Sequence, residues 1–367
     1  MRKKVKPMAK YALPIGPIHP ALDEPLYFRF EMEGETIKNT EIMFGHVHRG
    51  MEKLAMTNTI SQNVILCERT CGLCSSNHGL SYCRVMETIG DIKVPERAEY
   101  IRVITDELKR IASHAFAVAL IAHVIGFDTL FLYAFQEREK VLDLIEAFTG
   151  NRFHTSVNVI GGVKRDIDEE LANRISKDLE EFKHSWEKVA EIYSTDPNIL
   201  SRTKNVGVLT KEKAIEYGTM GPIARASGIA FDVRKQSPYL VYDELDFKLI
   251  TETSGDVYAR TMVRIREIFE SINLIQQCIK RMPKGPINLG LIPRIPPGEA
   301  SVRTEAPRGE LIYYARTNGT QNPVLVKWRV PSVVNLPSLV EMFKENKIAD
   351  IPVIVASIDP CISCTER

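Results

Sequence analysis

Along the first third of the chain the apolar positions change period twice, and the elements follow from those changes. Leu26, Phe28, Phe30 and Met32 alternate with mostly polar neighbours, the period of a strand with one buried face. Glu33, Gly34 and Glu35 supply a turn, a second strand runs into the loop FGHVHRGMEK, and a helix approaches Cys71. Beyond Pro95 the spacing becomes helical: Ile101, Ile104, Leu108, Ile111, Ala115 and Val118 recur at three and four residues, with Gly126 as a stop. A second helix passes through Val141, Leu142 and Ile145 to Gly150. A third, capped by Asp168, lines up Leu171, Ile175, Leu179, Phe182, Trp186, Val189 and Ile192. A fourth includes Val257, Ile265, Ile268, Ile272 and Ile275. Four long amphipathic helices in succession predict a bundle.

The stretch from Lys284 to Pro297 is rich in Pro and Gly and reads as irregular. A strand returns where Val324, Val326, Trp328 and Val330 alternate with Leu325, Lys327 and Arg329. A short helix near Pro337 to Lys344 and an apolar run from Ile351 to Val355 follow. No internal repeat, low-complexity tract or linker interrupts the chain. The expected fold is α+β and mainly α, a central long-helix bundle flanked by small β elements from both ends. Residues 1–367 are expected to form a single unit, with a β-rich part over 1–60, a helical core over 61–285 and a β/loop part over 286–367.

With 367 residues and 44% apolar content the chain has ample material for a core. Forty-eight basic residues balance 47 acidic ones, so no bulk field draws it to nucleic acid or lipid. The opening MRKKVKPMAK carries charge without an apolar region of signal-peptide length behind it. The longest oily run, Ala115 to Phe127, is broken by His123 and too short to span a bilayer. Membrane attachment is therefore expected through partners. Seven cysteines, an odd number in a long chain, do not suggest a secreted disulfide framework and suit a reducing cytosol.

Two cysteine pairs carry the chemistry. Cys71 and Cys74 lie in CERTCGLCSSNH, and Cys361 and Cys364 in DPCISCTER. Each CxxC turns two sulfurs toward one point, and two pairs make a four-thiolate site if the fold joins them. Small structural zinc sites usually close within a few tens of residues, whereas these pairs are separated by most of the chain, which suits a buried reactive centre better than a staple. On spacing alone structural zinc, or two unrelated pairs of buried thiols, stays open, since thiolates select zinc, iron and nickel alike. Arg69 and Arg308 are candidates to offset thiolate charge. Asp359 is a candidate to fix its loop by accepting from backbone N–H groups.

RTCGLCSSNH, DPCISCTER and the intervening EAPRGE resemble the signatures of the large, catalytic subunit of [NiFe]-hydrogenases. GPIHP, HRGMEK, TGNRFH, GGVKRD, GPIARASG and DVRK resemble its energy-converting, membrane-bound branch (group 4), which is related to the 49 kDa subunit of respiratory complex I. The similarity covers nearly the whole chain in order. The complex I relative shares several of these segments and lacks the metal-binding cysteines, all four of which are present here.

The resemblance implies that Cys71 and Cys361 are terminal nickel ligands. It makes Cys74 and Cys364 bridges to an iron holding cyanide and carbon monoxide, with Cys361 as the base that takes the proton when dihydrogen is split. It makes Glu24, in GPIHPALDEP, the proton relay; the adjacent Asp23 is ranked below it, and the alternative for Glu24 is a surface carboxylate in a Pro-rich loop. It places the Arg308 guanidinium over the metals, in a tight loop shaped by Pro307 and Gly309, and Asp359 beside it. His78, four residues after Cys74, either hydrogen-bonds a cysteine sulfur or is an ordinary buried helix histidine. His46, His48, His114 and His154 read as structural, Arg49 and Glu52 as local or interface contacts, and Cys67, Cys83 and Cys278 as small buried thiols. The usual C-terminal histidine of uptake-type relatives is replaced by Arg367, so their extra divalent metal site is not assumed here.

The function implied is a ferredoxin-linked hydrogenase on the inner face of the cell membrane. With four cysteines assigned, no set remains for an iron–sulfur cluster, so a [4Fe–4S] cluster is expected in a partner small subunit. Ferredoxin-type electron carriers and integral membrane subunits that move ions complete the expected partners, with dihydrogen and protons as substrates and no nucleic acid. The competing expectation is a non-catalytic, complex I-like coupling or scaffold subunit whose cysteines hold zinc or stay empty.

Overall fold

The computed structural model describes residues 9–22, 24–291 and 294–367, so Asp23 lies outside the described residues. The expected first strand is β2 (Tyr27–Glu33), in the middle of an antiparallel sheet between β1 (Lys10–Ile15) and β3 (Thr36–Met43). Phe28, Phe30 and Met32 point to one face and are buried, while Arg29 and Glu31 point to water. Gly34, at φ 61°, makes the turn into β3. Helix α1 (Met51–Thr57) follows the loop after β3, and α2 (Ile60–Glu68) opens on a Thr59/Gln62 capping box. Helix α3 (Ser75–Gly90) starts one residue after Cys74.

The four periodic stretches are helices. They are α4 (Glu96–Val124), α5 (Asp128–Thr149), α6 (Glu169–Thr195) and a later one reached through short elements. Asp168 caps α6 by accepting from the Leu171 N–H. Between α5 and α6, β4 (Asn158–Val159) pairs with β5 (Gly162–Val163). After α6 come α7 (Pro197–Thr203), α8 (Lys211–Glu216), α9 (Gly221–Ala226) and α10 (Val233–Gln236), and then α11 (Val257–Arg281), the fourth long helix. The apolar stripe of α4 is fully buried and packs against α5 and α11, and α6 closes the group against both of those. Helix α4 is buried on its polar face too: Arg102, Asp106, Glu107, Lys109, Arg110 and His114 are all inside.

Residues 297–318 form a hairpin that the alternation from Val324 onward only partly foreshadows. Strands β6 (Pro297–Ala306) and β7 (Gly309–Asn318) pair antiparallel, with Ala306 opposite Gly309, so Pro307 and Arg308 make a two-residue turn. Strand β8 (Leu325–Arg329) adds to β7. The part over 286–367, expected as β and loop, also holds α12 (Pro331–Asn335), α13 (Leu339–Phe343), α14 (Ile351–Ile358) and α15 (Ile362–Thr365). The apolar run at Ile351 is thus a helix, buried against α4 and α11. Phe343 of α13 meets Phe28 and Phe30 edge-on at 5.5 and 5.1 Å, tying this region to the first sheet. The fold is mixed α and β, rich in helix, with small antiparallel sheets.

Candidate metal centre

Each CxxC segment lies where the chain passes from one helix to the next. Helix α2 ends at Glu68, and Cys71 and Cys74 lie in the loop before α3; Cys361 lies between α14 and α15, and Cys364 is in α15 itself. Asp359 ends α14 in the left-handed region at φ 52°, which Asp tolerates and which turns the chain sharply toward Cys361. The Cys361 N–H donates to Ser332 Oγ at 3.0 Å and so sets the direction of the loop.

This brings four free, buried thiols to one point. Cys361 Sγ lies 3.5 Å from Cys71 Sγ and 3.0 Å from Cys364 Sγ, and Cys364 Sγ lies 3.8 Å from Cys74 Sγ. Sulfurs bound at about 2.3 Å around a tetrahedral metal are roughly 3.8 Å apart, so the spacing is close to that of a ligand set. The Leu73 and Cys74 N–H groups point at Cys71 Sγ, at 3.3 and 3.1 Å. The thiols share their charge unequally. Donation from Cys364, then from Cys71, pulls Cys74 down to about 5, while burial pushes Cys364 well up.

A cavity of about 290 Å³ opens over the sulfurs. Its polar lining includes Glu24, Cys71, Cys361, Arg308 and Asp359, and its apolar walls include Leu22, Leu26, Phe116, Leu120 and Val355. Arg308 is buried at the tip of the β6–β7 turn. It donates to the Asp359 carbonyl at 2.6 Å, to Asp359 Oδ1 at 2.7 Å and to Ser113 Oγ at 3.3 Å. Burial opposes its charge, but Asp359 and the sulfurs of Cys361 and Cys71 hold its pKa well above the ordinary arginine value. Asp359 therefore serves chiefly as the partner of Arg308, and its Oδ2 is buried with no hydrogen-bond partner among the described residues. Glu24 is half-buried and accepts from the Ile362 N–H beside Cys361. Burial first, and then the charge of Cys361, pushes it up to about 7.

His78 is buried on α3. Its Nε2 lies 3.5 Å from Cys364 Sγ and its Nδ1 2.7 Å from the Tyr313 hydroxyl. Burial pushes its pKa down to about 4, so the ring is neutral at physiological pH. His46, His48, His114 and His154 do not line the cavity. Arg69, expected as a counter-charge, is instead 44% exposed and sits 3.8 Å from Glu68.

Lys109 takes the place expected for Arg69. Its ammonium is buried, donates to Phe153 O at 2.8 Å and Gly72 O at 3.4 Å, and has no carboxylate within ion-pair distance among the described residues. Burial pushes it down to about 8, and the sulfur of Cys71 is the strongest opposing influence. No local pattern marks it: Lys109 lies on the polar face of α4, in the run Asp106 to Arg110, and is buried by the way that helix packs. Arg49 is more than a local contact: its guanidinium joins both CxxC loops through Thr70 O at 3.1 Å and Ser363 O at 2.8 Å. Beside it the Glu366 carboxylate accepts from the Gly45 and Val47 N–H groups.

The donor chemistry suits a soft transition metal: four thiols, a buried cation over the cavity, and a carboxylate with a near-neutral pKa at its edge. Comparisons with known proteins agree. The family model described as respiratory-chain NADH dehydrogenase, 49 Kd subunit, matches residues 124–292 and 288–367, and that of nickel-dependent hydrogenase matches residues 49–119. The chain is 50% identical to the carbon monoxide-induced hydrogenase of Rhodospirillum rubrum, over 98% of this chain and 100% of that one. It is 39% identical to the alpha subunit of the membrane-bound hydrogenase of Pyrococcus furiosus, over 100% and 89% respectively. It is also 39% identical to an NADH-quinone oxidoreductase subunit of Dehalococcoides mccartyi, over 97% and 98%.

Fold, thiol cluster and matches together define the large subunit of an oxidoreductase complex. The chain belongs to the family of [NiFe]-hydrogenase large subunits of the energy-converting, membrane-bound branch, which is related to the complex I 49 kDa subunit.

Proposed function

We propose that this chain is the catalytic subunit of a ferredoxin-linked [NiFe]-hydrogenase that interconverts dihydrogen with two protons and two electrons. The observation that carries the reading is the meeting of Cys71, Cys74, Cys361 and Cys364, from two distant segments, beneath a cavity that also receives Glu24 and Arg308. Cys71 and Cys361 would hold nickel, and Cys74 and Cys364 would bridge it to an iron carrying cyanide and carbon monoxide. When bound, that centre supplies the Lewis acidity and redox capacity that heterolysis of dihydrogen requires.

The chain's own residues handle the proton and the field. Cys361 is the base nearest Glu24, since the N–H of the next residue is already held by that carboxylate. A carboxyl group with a pKa near 7 both takes and releases a proton at neutral pH, which suits Glu24 to pass it outward. Arg308, held by Asp359, presents a permanent cation with directed N–H groups for anionic ligands in a dry site. The apolar walls suit a small nonpolar gas.

Electrons must leave through other chains. Cys67, Cys83 and Cys278, the cysteines outside the set, are each buried in the core, which leaves a [4Fe–4S] cluster to a partner small subunit and onward transfer to ferredoxin-type carriers. Among the described residues no helix is long and apolar enough to cross a membrane. The likeness to a subunit of a membrane-bound hydrogenase supports separate ion-moving membrane subunits, with this chain peripheral on the inner face of the membrane. The match to the complex I 49 Kd model favours a second reading, a non-catalytic coupling or scaffold subunit, whose thiols would hold zinc or stay empty. Exchange between D2 and solvent protons separates the two: the purified complex should catalyse it and Cys361→Ser should abolish it. A wild-type complex that holds zinc or no metal on these thiols and catalyses no exchange supports the second reading.

A further inference from the structure

The turn that carries Arg308 over the cavity is gripped at its root by buried ions. Three residues before Arg308, Glu305 accepts from Arg225 Nη1 at Oε1 (2.8 Å), from the Val233 N–H at Oε2 (3.1 Å) and from Arg110 Nη2 at its carbonyl (2.6 Å). Arg225 Nε donates in turn to Glu267 Oε1 at 2.7 Å, and Glu267 Oε2 meets His114 Nε2 at 2.9 Å. Glu305, Arg225, Glu267 and His114 are each no more than 3% exposed, and they come from β6, α9, α11 and α4. Beside His114 on α4 is Ser113, whose Oγ accepts from Arg308 itself. The contacts thus close a ring, from the Arg308 guanidinium through α4, α11 and α9 back to the root of its own turn. Helix α9, formed by the GPIARASG segment, touches the turn at its other end as well. There Gly221 packs so closely that a Cβ would lie 2.4 Å from the Arg308 carbonyl oxygen.

We propose that Arg225 is a positioning residue for Arg308, acting through Glu305, so that the Glu267–Arg225–Glu305 triad sets how the guanidinium reaches over the sulfurs. A buried triad adds little net stability over apolar residues of the same volume, because desolvation offsets the attraction. What it supplies here is direction. The Arg225 fork holds α11 from Nε and β6 from Nη1 at fixed angles, which neither an apolar side chain nor a lysine reproduces. Asp232 also lies 3.2 Å from Nη1, but its carboxylate is shared with Arg234 at 2.7 Å. Burial opposes the Arg225 charge, and Glu267, Glu305 and Asp232 more than offset it. Only Ala306 and Pro307 separate the gripped residue from Arg308, and proline fixes φ, so a shift at the root is carried to the tip. The donors of Arg308 then leave their line to Asp359 and to the cavity.

The proposal rests on the hydrogenase reading where it concerns the metals, and two measurements on the purified complex separate the two. Arg225→Lys keeps the charge and loses the fork. Hydrogen exchange read by mass spectrometry should then be about tenfold or more faster at residues 306–310 than in Leu179→Ala, a control in the buried face of α6, which packs on α5 and α11. The infrared bands of cyanide and carbon monoxide on the iron should shift in Arg225→Lys in the direction that Arg308→Met shifts them. Adding Arg225→Lys to Arg308→Met should leave them in place. Turn exchange no faster than in Leu179→Ala, or bands moved equally with and without Arg308, overturns the proposal and leaves the hydrogenase reading intact. Wild-type complex without such bands overturns that reading, and the exchange measurement alone then decides whether Arg225 sets the turn. If Arg225→Lys does not fold, Glu305→Gln, whose amide cannot accept from both Arg225 and the Val233 N–H through two oxygens, is read in the same two ways.

Discussion

Arg308→Met removes one cation and leaves another group stranded, which makes its cost calculable. The guanidinium is the ion-pair partner of Asp359, at 2.7 Å, with both side chains no more than 5% exposed. Breaking a buried pair from one side costs about 3–5 kcal/mol, most of it the penalty of leaving the surviving charge unpaired. For 367 residues at about 2.1 cal/mol/K per residue the unfolding entropy is roughly 0.8 kcal/mol/K, so Tm should fall by about 4–6 °C. Adding Asp359→Asn to Arg308→Met removes the stranded charge and should restore about half or more of that loss, a coupling of about 2–3 kcal/mol. Arg308→Lys keeps the charge but not the fork that reaches both Asp359 O and Oδ1, and should fall between wild type and Arg308→Met. Thermal unfolding of these four proteins and of Asp359→Asn alone, which closes the double-mutant cycle, reads all of this. A loss of about 1 °C or less for Arg308→Met, or strictly additive losses in the double variant, would refute the view that Arg308 is held chiefly by Asp359.

Glu24→Gln should slow solvent proton exchange about 100-fold or more while leaving metal content unchanged, as measured by isotope exchange and metal analysis. Because the folded protein raises Glu24 from 4.5 to about 7, it favours the protonated form: the resulting stability is complete below about pH 4.5 and is lost as pH rises to 7. Glu24→Gln, which mimics the protonated form, should therefore gain on wild type in Tm across that window. Gly221 sits at φ 65°, and a Cβ there would lie 2.4 Å from the Arg308 carbonyl oxygen. Gly221→Ala should cost about 3 kcal/mol or more in thermal unfolding and lower the nickel content by displacing the Arg308 turn. Lys109→Met should weaken metal retention against a chelator, because the thiolates lose their buried counter-cation.

The helical core was legible because its periodicity is long and unambiguous: α4, α5, α6 and α11 each show several turns of apolar residues on one side, and the Asp168 cap follows from sequence alone. The strand at Phe28 was equally plain. The β6–β7 hairpin was not, although Val302 and Thr304 are buried on either side of the exposed Arg303, since Gly, Glu, Ala, Ser and Arg fill much of β6 and argue weakly for a strand. The run at Ile351 is eight residues of α14, buried almost all round, and so short an apolar stretch has no period to tell helix from strand. At the site, spacing and flanking residues suggested that the two cysteine pairs meet, and the structure brings them together. Which cation lies beneath them depends on how α4 packs, which is why Lys109 and not Arg69 is the buried one. Tyr313 and Arg49 reach the site across the fold, by contacts no local pattern announces.

Whether the four sulfurs hold a nickel–iron centre is decided by metal analysis of the purified complex joined to its infrared spectrum. Nickel and iron should be present in equal amounts per chain, with absorption from cyanide and carbon monoxide on the iron, all lost in Cys364→Ser. Zinc alone, with no such absorption, would show that the thiols close a structural site and that the hydrogenase assignment is wrong.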